Sequence, residues 1–142
     1  GLIGNASSVP ISNVYTTGSV TGTTAGGSNY VGGLIGQATS TPVDNAYATG
    51  AVSGTGYVGG LIGRTNRDVQ NTRASGTVTA TGNYIGGLIG RFDEGYQVTD
   101  SSASGSSAAI ICASSSKMSC IVKLYLKHCI LTSACVALGI LM

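Results

Sequence analysis

The sequence has no tryptophan, one phenylalanine (Phe92), one histidine (His128) and two prolines in 142 residues. Only 8% of it is charged, against about 25% in an ordinary globular domain. Each shortage excludes something. So few charges cannot lace a long coiled coil or hold a highly charged chain unfolded. A formal net charge of +2 does not supply the basic face that nucleic acid requires. With one histidine, no site built on two is available, zinc sites of that type included. Two prolines and no three-residue glycine period exclude collagen.

What is present is glycine, 23 residues of it, about twice the usual share. It is unevenly placed. Residues 1–107 hold 22 of the glycines and no cysteine, with four arginines against four aspartates and Glu94, a net charge of −1. Residues 108–142 hold one glycine, all four cysteines (Cys112, Cys120, Cys129, Cys135) and three lysines without an acid, a net charge of +3. The chain therefore divides at about residue 107 into two segments with different physics.

The first segment repeats itself, a signal that precedes all others in weight. Gly-Leu-Ile-Gly occurs at Gly1–Gly4, Gly33–Gly36, Gly60–Gly63 and Gly87–Gly90. The first interval is the longest, and the next two are equal. The repeated columns are thus Gly33, Leu34, Ile35, Gly36; Gly60, Leu61, Ile62, Gly63; and Gly87, Leu88, Ile89, Gly90. Tyr30, Tyr57 and Tyr84 each stand three positions before the motif. A second block follows it: Tyr15-Thr-Thr-Gly18, Tyr47-Ala-Thr-Gly50, Arg73-Ala-Ser-Gly76 and Ser102-Ala-Ser-Gly105. A polar column, Asn13, Asn45, Asn71 and Asp100, precedes that block.

Glycine inside a helix costs about 1 kcal/mol relative to alanine, whereas Val, Ile, Thr and Tyr favour strands. Short extended runs, recurring once per Gly-Leu-Ile-Gly interval, predict an all-β fold, a right-handed parallel β-solenoid of about four coils. Each coil holds about three short strands, with coils stacked about 4.8 Å apart. Equivalent residues then form ladders. Asn13, Asn45 and Asn71 are expected to bond along the stack as an amide ladder. Tyr30, Tyr57 and Tyr84 are expected to stack as rings, as are Tyr15 and Tyr47. The Leu-Ile pairs and Val20, Val52 and Val78 form the core, narrow enough to want Ala48, Ala74 and Ala103. Adjacent Leu and Ile point to opposite faces of a strand unless a bulge intervenes.

These blocks resemble the GLUG repeat, named for Gly-Leu-(any)-Gly, over about residues 1–105. Such repeats occur in large bacterial secreted or cell-surface proteins, adhesin-like and IgA-peptidase-type proteins among them. The resemblance implies a stalk or display scaffold, outside the cell or on its surface, with neighbouring repeats of a longer chain as partners. It implies no enzyme, since in the peptidases the chemistry belongs to another domain. Alternatives are a module that binds a glycan or host protein on a flat face, and an accessory domain of a secreted protease. Uncapped sheet edges would also favour edge-to-edge self-association. The sequence departs from the pattern in about five extra residues around Gly22–Ser28 and in Arg73 where Tyr is expected.

Motifs with chemical meaning are few. Gly54-x-Gly56-x-x-Gly59 matches a dinucleotide-binding pattern, which works only when it joins a strand to a helix. Here it enters another glycine-rich β segment. Asp93 and Glu94 read as a solvated turn. Asp68 with Asp93 could form the two-carboxylate pair of a glycosidase, but loops beside Arg64, Arg67 and Arg91 are the simpler reading. The calcium-binding Gly-Gly-x-Gly-x-Asp repeat is absent. Asn5-Ala6-Ser7 is a formal glycosylation acceptor. The column Ser19-Val-Thr21, Ala51-Val-Ser53, Thr77-Val-Thr79 raises ice binding as a weak alternative, since one copy alone carries the full Thr pair. No catalytic residue, metal ligand or cofactor is assigned.

Residues 108–142 have four readings: a cap over the open end, a membrane anchor, an unstructured end, or a stretch translated out of frame. The last 14 residues are uncharged, short of the ~20 needed to span a bilayer. Only an anchor would bring a membrane partner. The chain begins inside a motif, which suggests a piece of a longer protein.

Overall fold

The computed structural model describes residues 1–23, 29–93, 95–105 and 111–113. The described residues form fifteen strands and no helix. The first repeat contributes β1 (Ile3–Ser7), β2 (Ile11–Thr16) and β3 (Val20–Thr21); the second, β4 (Tyr30–Gly32), β5 (Ile35–Thr39) and β6 (Val43–Ala48). The third contributes β7 (Val52–Gly59), β8 (Ile62–Thr65), β9 (Val69–Gln70) and β10 (Arg73–Ala74). The fourth contributes β11 (Val78–Gly86), β12 (Ile89–Phe92), β13 (Val98–Thr99) and β14 (Ser102–Ala103), and β15 (Ile111–Ala113) follows.

The strands form three sheets, and every pairing among the described residues is parallel. The first sheet runs β1-β5-β8-β12-β15. The second holds β2, β6, β9, β10, β13 and β14, and the third β3, β4, β7 and β11. The chain visits the three sheets in turn and then returns to the first. Each strand pairs with its copy in the next repeat: Ile3 with Ile35, Ile35 with Ile62, Ile62 with Ile89. Ile89 pairs with Ile111, so the first sheet extends past residue 107. Residues 114–142, with Cys120, Cys129, Cys135 and His128, lie outside the described residues, as do Gly26, Gly27 and Ser28 of the extra segment.

The Leu-Ile motif resolves the question of facing. Leu34 and Ile35, Leu61 and Ile62, and Leu88 and Ile89 are all fully buried. The backbone explains how neighbours share one face. The N–H groups of Leu34 and Ile35 both donate to the Leu61 carbonyl, at 2.9 and 3.1 Å, and those of Leu61 and Ile62 both donate to Leu88, at 2.8 and 3.0 Å. Two donors on one acceptor are the mark of a bulge, which resets the alternation of a strand. The corner also needs glycine. A Cβ on Gly60 would sit 2.1 Å from the Gly87 carbonyl oxygen and 3.0 Å from the Ala74 Cβ. The interior there is one methyl group thick.

The second sheet is kinked once per repeat. Asn13, Asn45, Asn71 and Asp100 all have left-handed backbone, with φ of 56°, 48°, 52° and 48°. Asn and Asp tolerate that region better than other side chains with a Cβ. The kink inserts one residue into the alternation: Val43, Ala46 and Ala48 are buried in one repeat, and Val69, Thr72 and Ala74 in the next. In the third and fourth repeats it divides the strand outright, into β9 and β10 and into β13 and β14.

Two apolar clusters result. Leu, Ile, Val43, Val69 and the alanines pack between the first two sheets. Val31, Val52, Val58 and Val78 form a second cluster along the third sheet. Val52 and Val58 come from either side of Gly56, the one residue of β7 with positive φ, at 94°. Each buried Leu, Ile or Val contributes about 1.5–3 kcal/mol by leaving water.

Candidate functional site

The motif residues Gly33–Gly36, Gly60–Gly63 and Gly87–Gly90 occupy the buried corner just described, where they build the fold and present no chemistry to solvent. The Asn column is not the continuous amide ladder expected. Asn45 Nδ2 donates to Asn13 Oδ1, but Asn71 Nδ2 donates to Asp44 Oδ1 at 2.9 Å. The Asn45 oxygen is already taken by the Tyr47 hydroxyl, and the Asp44 carboxylate is the stronger acceptor. What all four repeats share at this position is the backbone kink.

The tyrosine columns also diverge. Tyr30, Tyr57 and Tyr84 lie in register. Tyr57 and Tyr84 stack with centroids 4.7 Å apart and planes 9° from parallel; Tyr30 and Tyr57 are 4.9 Å apart and tilted by 35°. Tyr15 and Tyr47 are in register too, yet no ring contact joins them. Each stands exposed, contrary to the stacking expected.

Beside the stacked rings lies a group of charges. Gln37, Arg64 and Arg91 occupy one register column of the first sheet, on β5, β8 and β12. The Arg64 Cζ sits 5.8 Å from the Tyr30 ring centre, and the Arg91 Cζ sits 5.7 and 5.6 Å from those of Tyr57 and Tyr84. These are cation–π distances. Asp93, anchored by its own N–H on the Thr65 carbonyl, accepts from both arginines: from Arg64 Nη2 at 2.7 Å and from Arg91 Nε at 3.0 Å. Arg64 Nη1 also donates to the Tyr30 hydroxyl at 3.4 Å. The Asp93 hydrogen bond holds the Arg64 guanidinium above its ordinary pKa, outweighing a desolvation that acts the other way. The side chains of both arginines are 28% exposed and that of Asp93 22%.

Asp93 follows the end of β12 as a loop residue would, but this cluster corrects the reading of it as simply solvated. The arginines are on strands and Asp93 is held between them. Their signal in the sequence was spacing: Arg64 and Arg91 each directly follow a Gly-Leu-Ile-Gly copy, at equivalent places in successive repeats. Asp68 does not join Asp93; its Oδ1 accepts the Gln97 N–H at 2.8 Å. Arg67 lies over Tyr96 at 5.2 Å. Gly54-x-Gly56-x-x-Gly59 falls wholly within β7, with no helix to receive a pyrophosphate, which removes the dinucleotide reading.

A second surface is built of hydroxyls. Along the third sheet Thr21 pairs with Ser53 and Ser53 with Thr79, and Thr55 pairs with Thr81. Ser53 Oγ donates to Thr21 Oγ1 at 3.2 Å. With Ser19, Ala51, Thr77 and Thr23, these residues occupy alternate, outward positions and carry no charge. The Thr55–Thr81 column is one the sequence reading did not include.

Among the described residues no three of His, Cys, Asp and Glu gather to hold a metal, and no helix is long and apolar enough to cross a membrane. No curated protein matches the chain. No solved structure matches it either. The family model of the GLUG motif matches residues 27–53, a window that runs from the Tyr30 ladder through the buried corner and the Asn45 kink to the hydroxyl face. Residues 27–53 thus carry the GLUG motif that the repeats as a whole resemble.

Proposed function

We propose that the chain is a structural repeat segment, a right-handed parallel β-solenoid serving as a stalk or display scaffold in a larger secreted or cell-surface protein. The observation that carries this reading is register. The Ile of each Gly-Leu-Ile-Gly copy pairs with the Ile of the next in one parallel sheet. A chain that passes three sheets in order and returns to the first advances by one strand spacing per repeat, about 4.8 Å. Right-handedness follows the near-universal sense of parallel crossover connections. Such a body is stiff along its axis, because every backbone rung is tied to the next. The surface location rests on the kinship of the motif.

The test is a duplication. A second copy of residues 60–86 is inserted after Gly86. A scaffold of this kind gains one rung: its length by small-angle scattering grows by about 4.8 Å, and its urea m-value rises with the added buried surface. An inserted copy that loops out, leaving the length and m-value unchanged, overturns the reading.

A second reading, ice binding, is favoured by the hydroxyl face. An uncharged grid that repeats in two directions suits a partner that is itself periodic, and ordered water is one. Thermal hysteresis of the purified chain, lost in Thr55→Lys and Thr81→Lys, supports it; ordinary freezing behaviour removes it.

A further inference from the structure

We propose that Arg91, with the hydroxyls of Tyr57 and Tyr84, binds the carboxylate group of an acidic glycan. The argument begins with charge. Arg64 and Arg91 are one strand apart in the first sheet and share a single carboxylate, Asp93. Among the described residues the cluster therefore carries one uncompensated positive charge at a half-buried position. An ion so placed gains from an external counter-ion more than a fully solvated one does.

The two guanidinium groups differ in what they have left to offer. Arg64 commits Nη2 to Asp93 and Nη1 to the Tyr30 hydroxyl. Arg91 commits only Nε to Asp93; its two Nη atoms make no hydrogen bond to a described residue. Its plane is held by the rings of Tyr57 and Tyr84 and by the Asp93 contact, so the rotamer freedom a ligand would otherwise remove is already lost. A guanidinium with a free edge is a planar fork that matches a carboxylate with two parallel hydrogen bonds. The Tyr57 and Tyr84 hydroxyls, one repeat apart, are likewise without a partner among the described residues. They supply donors and acceptors to the hydroxyls that flank a sugar carboxylate.

The chemistry favours a glycan over a peptide. Peptides dock on sheets by adding a strand to an open edge or by filling an apolar groove. Here β12 is paired on both sides, with β8 and β15, and the residues around Arg91 are polar or aromatic.

The experiment is calorimetric titration of the full chain with oligogalacturonate and with the same oligomer fully methyl-esterified. The acid is expected to bind, and the ester at least about tenfold more weakly, as the loss of a charge-assisted bidentate pair implies. Arg91→Gln is expected to lose about tenfold against the acid, and Arg67→Gln to leave it unchanged. Arg91→Lys, which keeps the charge and loses the fork, is expected to fall between wild type and Arg91→Gln, and it serves if Arg91→Gln does not fold. Glu94, which follows Asp93 in the chain, lies outside the described residues; Glu94→Gln should bind as tightly as wild type or more tightly. Equal binding of acid and ester, an unchanged affinity in Arg91→Lys, or loss of binding in Glu94→Gln each overturns the proposal. So does equally tight binding of polyglutamate, which would make the site one for acidic peptides, or of inorganic sulfate, which would make it a simple anion site.

Discussion

Two tyrosine columns run up this molecule, and only one of them is a ladder. Both are in register, with the parallel sheet holding each pair of Cα atoms one strand apart. Tyr30, Tyr57 and Tyr84 stack, and arginines lie across their faces. Tyr15 and Tyr47 remain 74% and 41% exposed and make no ring contact. The Tyr47 hydroxyl instead turns to the kinked Asn45. Register only permits stacking. Rings close on each other when a neighbouring column removes water from one side and fixes their tilt, and Arg64 and Arg91 do that for one column alone. The other column is also broken above Tyr47, where Arg73 takes the third place.

The comparison can be broken from below. A Cβ on Gly63 would meet the Gly36 carbonyl oxygen at 2.5 Å, the Val31 nitrogen at 2.6 Å and the Tyr30 carbonyl carbon at 2.9 Å. Gly63→Ala should therefore displace the backbone that carries the stacked column and cost about 3 kcal/mol or more in urea unfolding. Gly4→Ala, its counterpart in the first repeat, meets nothing within 4 Å and should change stability by less than about 0.5 kcal/mol. A smaller effect separates the columns themselves. Tyr57→Ala loses two ring contacts and an arginine, about 2 kcal/mol, and most of the near-ultraviolet dichroism of stacked tyrosine. Tyr47→Ala should stay within about 0.5 kcal/mol and leave that signal intact.

Asp93→Asn tests the lateral support. The pairs are partly exposed and solvent-screened, so the loss should be about 1 kcal/mol at low salt and less in 1 M sodium chloride. The pH dependence has a fixed sign. Arg64 has a raised pKa in the fold, so its contribution is complete below the ordinary guanidinium range and is lost only as pH climbs through the raised value. Urea midpoints should accordingly show no loss from Arg64 through neutral and moderately alkaline pH. The smallest effect is the sharpest test: Arg73→Tyr adds a third ring to the exposed column. If lateral support is required, stability moves by less than about 0.5 kcal/mol; a gain of about 1 kcal/mol would show that register suffices.

The repeat, the strand character and the in-register columns were legible because they are carried by identical residues at fixed spacing. The facing of Leu34 and Ile35 was not, because it depends on a shared carbonyl acceptor and not on the side chains. The Asn column was visible but its role was misread: left-handed backbone at Asn45 and Asn71 is a main-chain property that an amide ladder would imitate in sequence. Arg64, Arg91 and Asp93 were on view as charges, yet they meet only when strands one repeat apart are laid side by side. Even the constant spacing of the later motif copies hides adjustments. Ala38 pairs with Thr65 at the full repeat interval, but Val43 pairs with Val69, one position short of it. The lost position returns as a bulge between Thr81 and Tyr84.

That bulge sits at a telling place. Between the hydroxyl strand and the tyrosine, the third repeat uses three residues, Gly54 to Gly56, and the fourth uses four, Ala80 to Asn83. The second repeat uses eight, between Thr21 and Tyr30. Every one of these variants leaves the Leu-Ile corner and the tyrosine register in place. The stretch ahead of each tyrosine is therefore where the repeat absorbs changes in length, three, four or eight residues, while the strands on either side keep their register.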